Sequence, residues 1–161
     1  MAGELSLYKL LADKDIVYEG EVKDEAELIA NIVKIFKPLK EVNPEYKDLY
    51  IGTETGVLIS YDDFAELAAD AEGDDRYYEF RDRDWYRLAK DKGEITFISR
   101  YVNTFLQGSV TTCSIPFYDD KGSFAGCVGI DIHTDDLYSV LVNSNVSDNM
   151  EAFIVTPKGD S

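Results

Sequence analysis

Two long runs of strand character, Ser109 to Tyr118 and Ser123 to His133, flank the tetrapeptide Asp119-Asp120-Lys121-Gly122. Aspartate early and glycine late is turn chemistry, so the runs read as an antiparallel hairpin and the fold as one built on an antiparallel sheet. The second run also separates its two faces. Phe124, Gly126, Val128, Ile130 and Ile132 make a packing face, whereas Ala125, Cys127, Gly129 and Asp131 are small residues ending in a carboxylate. Small side chains beside a strand carboxylate leave room for something else. An aspartate there without a partner costs several kcal/mol or protonates, so it calls for a cation or a donor. A neighbouring arginine or a backbone amide would also satisfy it.

The rest of the chain supplies the other layer. Leu5, Tyr8, Leu11 and Ala12 recur at helical steps and predict a short first helix. Asp24 then caps a second, in which Leu28, Ile29, Ile32, Val33, Phe36 and Leu39 form one apolar stripe facing a core. Leu49 to Thr53 and Val57 to Ser60 predict strands joined through Glu54-Thr55-Gly56. Further helices are expected at Phe64 to Ala69, at Asp84 to Lys92 with Gly93 as its stop, and from Asp135 to about Val142. Glu94 to Ser99 and Ala152 to Thr156 read as strands. The fold class is therefore α+β: a sheet of about five antiparallel strands with the N-terminal helices on one face and a loop-covered face where a pocket can open.

The charge narrows the function. A chain of 161 residues with formal net charge −16 repels phosphate backbones and anionic lipid headgroups, which argues against nucleic acid and membrane surfaces as partners. Its acids are spread as pairs such as Asp62-Asp63 and Asp74-Asp75, without the oxygen spacing and central glycine of a calcium loop. With one histidine, His133, no mechanism needing two histidines is available. No serine sits on a strained nucleophile turn and no glycine-rich phosphate loop occurs, so neither an enzyme nor a cofactor is expected. Two cysteines, Cys113 and Cys127, are too few for a disulfide framework or a zinc site. They lie almost equally far from the hairpin turn, so a cross-strand disulfide and two free thiols are both open readings.

The densest chemistry is Tyr77-Tyr78-Glu79-Phe80-Arg81-Asp82-Arg83-Asp84-Trp85-Tyr86, at the entrance of a predicted helix. A helix N-terminus attracts anions, an arginine adds a fork matched to a carboxylate, and an indole adds a donor and a flat wall. The plainer reading buries Trp85, Leu88 and Ala89 as a helix face and pairs the arginines with Asp82 and Asp84.

Taken in order, Arg83-x-Trp85-Tyr86-x-x-Ala89, Gly93, Tyr101, Ser114-x-Pro116-x-Tyr118-Asp119 and Gly126-x-Val128-Gly129-x-Asp131-Ile132 resemble the double-Cache sensor family. These are extracytoplasmic domains of chemotaxis receptors and sensor kinases. The resemblance implies a PAS-like Cache module at 49–148, preceded by a helical segment at 1–48 and followed at 149–161 by the start of a membrane-proximal module. It further implies that Arg83 and Trp85 hold a ligand carboxylate, and that Tyr78, Tyr101 and Asp131 surround its ammonium, with Tyr86 following the tryptophan as in amino-acid-sensing members. One position departs from the pattern. Asn103 stands where those members carry an aspartate, so it can accept a hydrogen bond but adds no charge. An amino acid is the favoured ligand, and a carboxylate without an amine is the alternative. The parent protein is expected to be a membrane-anchored homodimer. The competing reading is an orphan structural or dimerisation module that binds no small molecule.

Overall fold

The computed structural model describes residues 6–62, 77–102, 109–133 and 136. The elements run β1 (Ser6–Leu11), α1 (Gly20–Ile32), a 3-10 turn (Val33–Ile35), α2 (Phe36–Val42), β2 (Tyr46–Thr53) and β3 (Val57–Asp62). After these come a 3-10 turn (Phe80–Asp82), α3 (Asp84–Lys92), β4 (Thr96–Val102), β5 (Ser109–Tyr118) and β6 (Phe124–His133). Among the described residues the strands form one sheet in the order β1-β3-β2-β6-β5-β4, every pair antiparallel. This is the expected antiparallel sheet, with α1 and α2 on one face.

The first predicted helix is instead β1, which pairs with β3 from Ser6↔Asp62 to Leu11↔Val57. So short a helix has too few hydrogen bonds to repay its nucleation, while the open edge of β3 offers a full ladder of partners. The second helix starts earlier than expected. Glu19 is its N-cap and Asp24 lies inside it, because Val22 and Ala26 already pack into the core. Its buried stripe is also narrower than the sequence pattern suggests. Ala26, Ile29, Val33 and Phe36 are buried, whereas Leu28, Ile32 and Leu39 are exposed. The buried four meet Leu49, Ile51, Ile59 and Tyr61 of the sheet, with Val128 and Ile130 of β6 beside them.

The β2–β3 hairpin turns as predicted, with Gly56 at φ 93° and its N–H donating to Thr53 O at 3.0 Å. In β6 the register shifts between Phe117↔Gly126 and Tyr118↔Phe124. That extra residue reverses the alternation, so Phe124 leaves the face assigned to it and packs edge-on against Tyr86 at 5.5 Å. The two cysteines are free. Cys113 is paired with Ile130 and Cys127 with Pro116, so alternation puts them on opposite faces and no bridge can form. The predicted helices at 64–69 and 135–142 and the strand at 152–156 lie outside the described residues, as does the segment 149–161.

Candidate functional site

The face of the sheet away from α1 and α2 is covered at one end by α3. Arg83, in extended conformation at φ −78° and ψ 149°, is the N-cap of this helix. At the other end Gly93 takes the left-handed conformation at φ 67° and donates its N–H to Ala89 O at 2.9 Å. Trp85, Tyr86 and Ala89 are the buried side of the helix. They join Phe80, Tyr50, Leu58 and Cys127 in a second core, against which Tyr78 packs half-buried. Trp85 is stacked on Phe80 at 6.0 Å and meets Tyr50 edge-on at 4.7 Å.

Arg81 is committed to structure: its Nε and Nη2 donate to Glu79 Oε1 at 2.8 Å and Oε2 at 2.6 Å, and its Nη1 donates to Glu54 O at 3.2 Å. Asp84, which the plainer reading paired with an arginine of the entrance motif, takes Arg87 at 2.8 Å instead. Arg83 stands half-buried at the helix N-terminus, where the first amides and the dipole favour an anion. Tyr86 is almost fully buried. Its hydroxyl donates to Glu54 Oε2 at 2.8 Å, and Lys90 Nζ donates to Glu54 Oε1 at 2.5 Å. The structure therefore brings Tyr86 to the β2–β3 hairpin and not to Asp131. Burial first, then Glu54, holds its hydroxyl well above the ordinary tyrosine range.

At the sheet, Asp131 is fully buried. Its Oδ1 accepts from the Tyr50 hydroxyl at 2.9 Å and from Thr112 Oγ1 at 2.6 Å. Burial, then Asp131 and Asp48, pushes the Tyr50 hydroxyl well above its ordinary value, so it stays a donor. The space over Gly129 is not empty. A Cβ placed there would stand 2.2 Å from Tyr50 Cε2, so the Tyr50 ring occupies part of the room that the small-residue face leaves. Cys127 lies under the helix, its thiol donating to Tyr86 O at 3.7 Å and pushed by burial up to about 12.

The face thus has an aromatic end under α3 and a polar end at Asp131. Tyr101 lies on β4, in register with Val110, and its side chain is outside the described set. Asn103 also lies outside the described residues. Sequence reasoning missed Tyr50, Thr112, Asp48 and Ser60. The signal was present in the alternation of β2, which puts Asp48, Tyr50 and Gly52 on one face. Starting that strand at Leu49, when it starts at Tyr46, left Asp48 outside the sheet. Among the described residues no group of three His, Cys, Asp or Glu could hold a metal ion, and no helix is long and apolar enough to cross a membrane.

A family model described as methyl-accepting chemotaxis protein-like, first PDC sensor domain, matches residues 21–139. Among solved structures, the ligand-binding domain of the Campylobacter jejuni chemoreceptor Tlp3 in complex with L-valine is 28% identical with a TM-score of 0.57, covering 74% of this chain and 46% of that one. The sensory domain of the same receptor with isoleucine bound is 25% identical with a TM-score of 0.53, covering 74% and 45%. The ligand-binding domain of the Pseudomonas fluorescens chemoreceptor CtaA in complex with L-serine, at 23% identity, TM-score 0.56 and coverage of 74% and 48%, shares the fold. The chain spans somewhat less than half the length of these domains. No curated protein matches it in sequence.

Proposed function

The chain belongs to the family of methyl-accepting chemotaxis protein-like first PDC sensor domains, and from that premise we propose that it is the extracytoplasmic ligand-binding module of a membrane receptor. The ligand is a small carboxylate, most simply an amino acid. Arg83 and Trp85 at the N-terminus of α3 take the carboxylate, and Asp131 takes the cation, with Tyr78, Tyr101 and Asn103 completing the walls. The parent is a membrane-anchored homodimer, and 49–148 is the membrane-distal module within it. The domain senses and does not catalyse.

The observation that carries this reading is Asp131. It is a fully buried carboxylate on the sheet face turned toward α3, whose N-cap is an arginine. A zwitterion meets both ends at once. The Tlp3 complexes with L-valine and isoleucine support the amino-acid assignment.

A thermal-shift screen of the twenty L-amino acids tests it, because a ligand bound only by the folded state raises the melting temperature by mass action. At least one amino acid is expected to raise it. Arg83→Ala should remove that shift, since losing one partner of a desolvated charge pair costs about 2–5 kcal/mol. A panel with no shift for the wild-type chain rejects the amino-acid reading.

A further inference from the structure

Arg83 and Trp85 meet a ligand only where α3 sets them, so whatever seats α3 on the sheet also sets the ligand site. The backbone of Arg83 is tied on both sides. Its N–H donates to Phe80 O at 3.0 Å, and its carbonyl accepts from Tyr86 N at 3.1 Å and Arg87 N at 2.9 Å. Arg83 therefore moves with the 3-10 turn before it and with the first turn of α3 after it.

One residue of the β2–β3 turn holds both. Glu54 is fixed to β6 by its own N–H, which donates to Ala125 O at 2.9 Å. Its carbonyl accepts from Arg81 Nη1, in the 3-10 turn, at 3.2 Å. Its carboxylate reaches α3, accepting from the Tyr86 hydroxyl at 2.8 Å and from Lys90 Nζ at 2.5 Å. Tyr86 and Lys90 stand at i and i+4, on one side of the helix. The Lys90 pair is 42% and 45% exposed, and such a pair holds weakly. The Tyr86 bond holds more firmly, because the ring is almost fully buried and its raised hydroxyl stays a donor that needs an acceptor.

Glu54 stands far from the cationic end of the site. The register pairs Thr53 with Gly126 and Asp48 with Asp131, which puts Glu54 roughly 20 Å along the ladder from Asp131 at about 3.3 Å per residue. Any effect it has on that end passes through α3. Resting on the ligand site proposed above, we propose that Glu54 is a positioning residue for ligand binding: it sets the seat of α3, and with it the span between Arg83 and Asp131. The two charges of a small zwitterion are a fixed distance apart, so a helix that rides loosely on the sheet gives up part of the affinity to ordering.

Calorimetric titration with the tightest-binding L-amino acid from the screen tests this on the wild-type chain, Glu54→Ala, Glu54→Gln and Tyr86→Phe. Glu54→Ala is expected to weaken binding about tenfold, a loss of ~1.4 kcal/mol. Glu54→Gln keeps an oxygen for the Tyr86 hydroxyl and should lose about threefold or less. Tyr86→Phe removes the same bond from its other end, so combining it with Glu54→Ala should add little to either loss. Trp85 is the one tryptophan of the chain and packs on Tyr50 and Phe80, so its indole N–H resonance reports the seat of α3 without ligand. That signal should move in Glu54→Ala and stay near its wild-type position in Glu54→Gln. If the wild-type chain binds amino acids and Glu54→Ala binds them equally well, the role of Glu54 is overturned and the proposed site stands. A loss in Glu54→Ala with an unmoved indole signal, or an equal loss in Glu54→Gln, also overturns it, because the effect is then one of charge. Fully additive losses in the double variant overturn it as well. If the wild-type chain binds no amino acid, both readings fall.

Discussion

The two faces of this sheet are made by the same strands and follow different physics. Toward α1 and α2, β2, β3 and β6 present Leu49, Ile51, Ile59, Tyr61, Val128 and Ile130. Toward α3 they present Asp48, Tyr50, Ser60, Cys127, Gly129 and Asp131. The first face is held by apolar burial, which is non-directional and tolerates small shifts. The second buries carboxylates and hydroxyls, which cost free energy unless each finds a donor or a counter-charge at a fixed place. A directional face has a shape and a sign that a ligand can complete, and an apolar one does not. On the function proposed above, recognition belongs to the polar end of the α3 face, while apolar burial holds the opposite face and the aromatic end under α3.

Leu49→Ala should have the largest effect on stability. Leu49 is fully buried on the helix side, and removing such a side chain costs about 2–5 kcal/mol. Urea unfolding should show that loss while the order of ligand affinities stays the same. If the order changed, the separation of the two faces would be broken.

Gly129→Ala comes next. Its new Cβ would fall 2.2 Å from the Tyr50 ring, an overpacking worth about 1–3 kcal/mol. Adding Tyr50→Ala should cancel part of the cost, so that the double variant is less destabilised than the sum of the singles. Additive losses would mean that the ring does not fill that space.

The smallest effect is a pH dependence at the entrance of α3. The Arg81 guanidinium beside Glu79 holds its carboxyl below the usual value of 4.5. A depressed carboxylate contributes stability above its unfolded value and loses it as pH falls through the lower folded value. Both side chains are about a third exposed, so the contribution is below ~1 kcal/mol. Wild-type and Glu79→Gln chains should thus differ slightly near neutrality and converge below 4.5. A difference that persists in acid contradicts this cause.

The sheet, its hairpins and α3 were legible in the sequence because alternation, turn glycines and a helix stop all act over a few residues. Trp85, Asp131 and Gly93 were found by that logic. What was not legible depended on pairing at a distance. β1 exists because β3 leaves an edge, and nothing within Ser6–Leu11 records that edge. The exposure of Leu28 and Ile32 depends on how α1 rolls on the sheet, which periodicity constrains only to within a residue. Asp48 was missed for the same reason. Its burial opposite Asp131, far off in the chain, follows from the β2–β6 register.

Calorimetric titration of Asp131→Asn against the wild-type chain, with the best amino acid from the screen, tests the division of the sheet most directly. The substituted side chain keeps the shape, and its amide oxygen can still accept from Tyr50 and Thr112. Unfolding should therefore change little compared with Leu49→Ala, while saturable binding disappears. A variant that binds as tightly as wild type would contradict the account, and the α3 face would be a second core without a ligand.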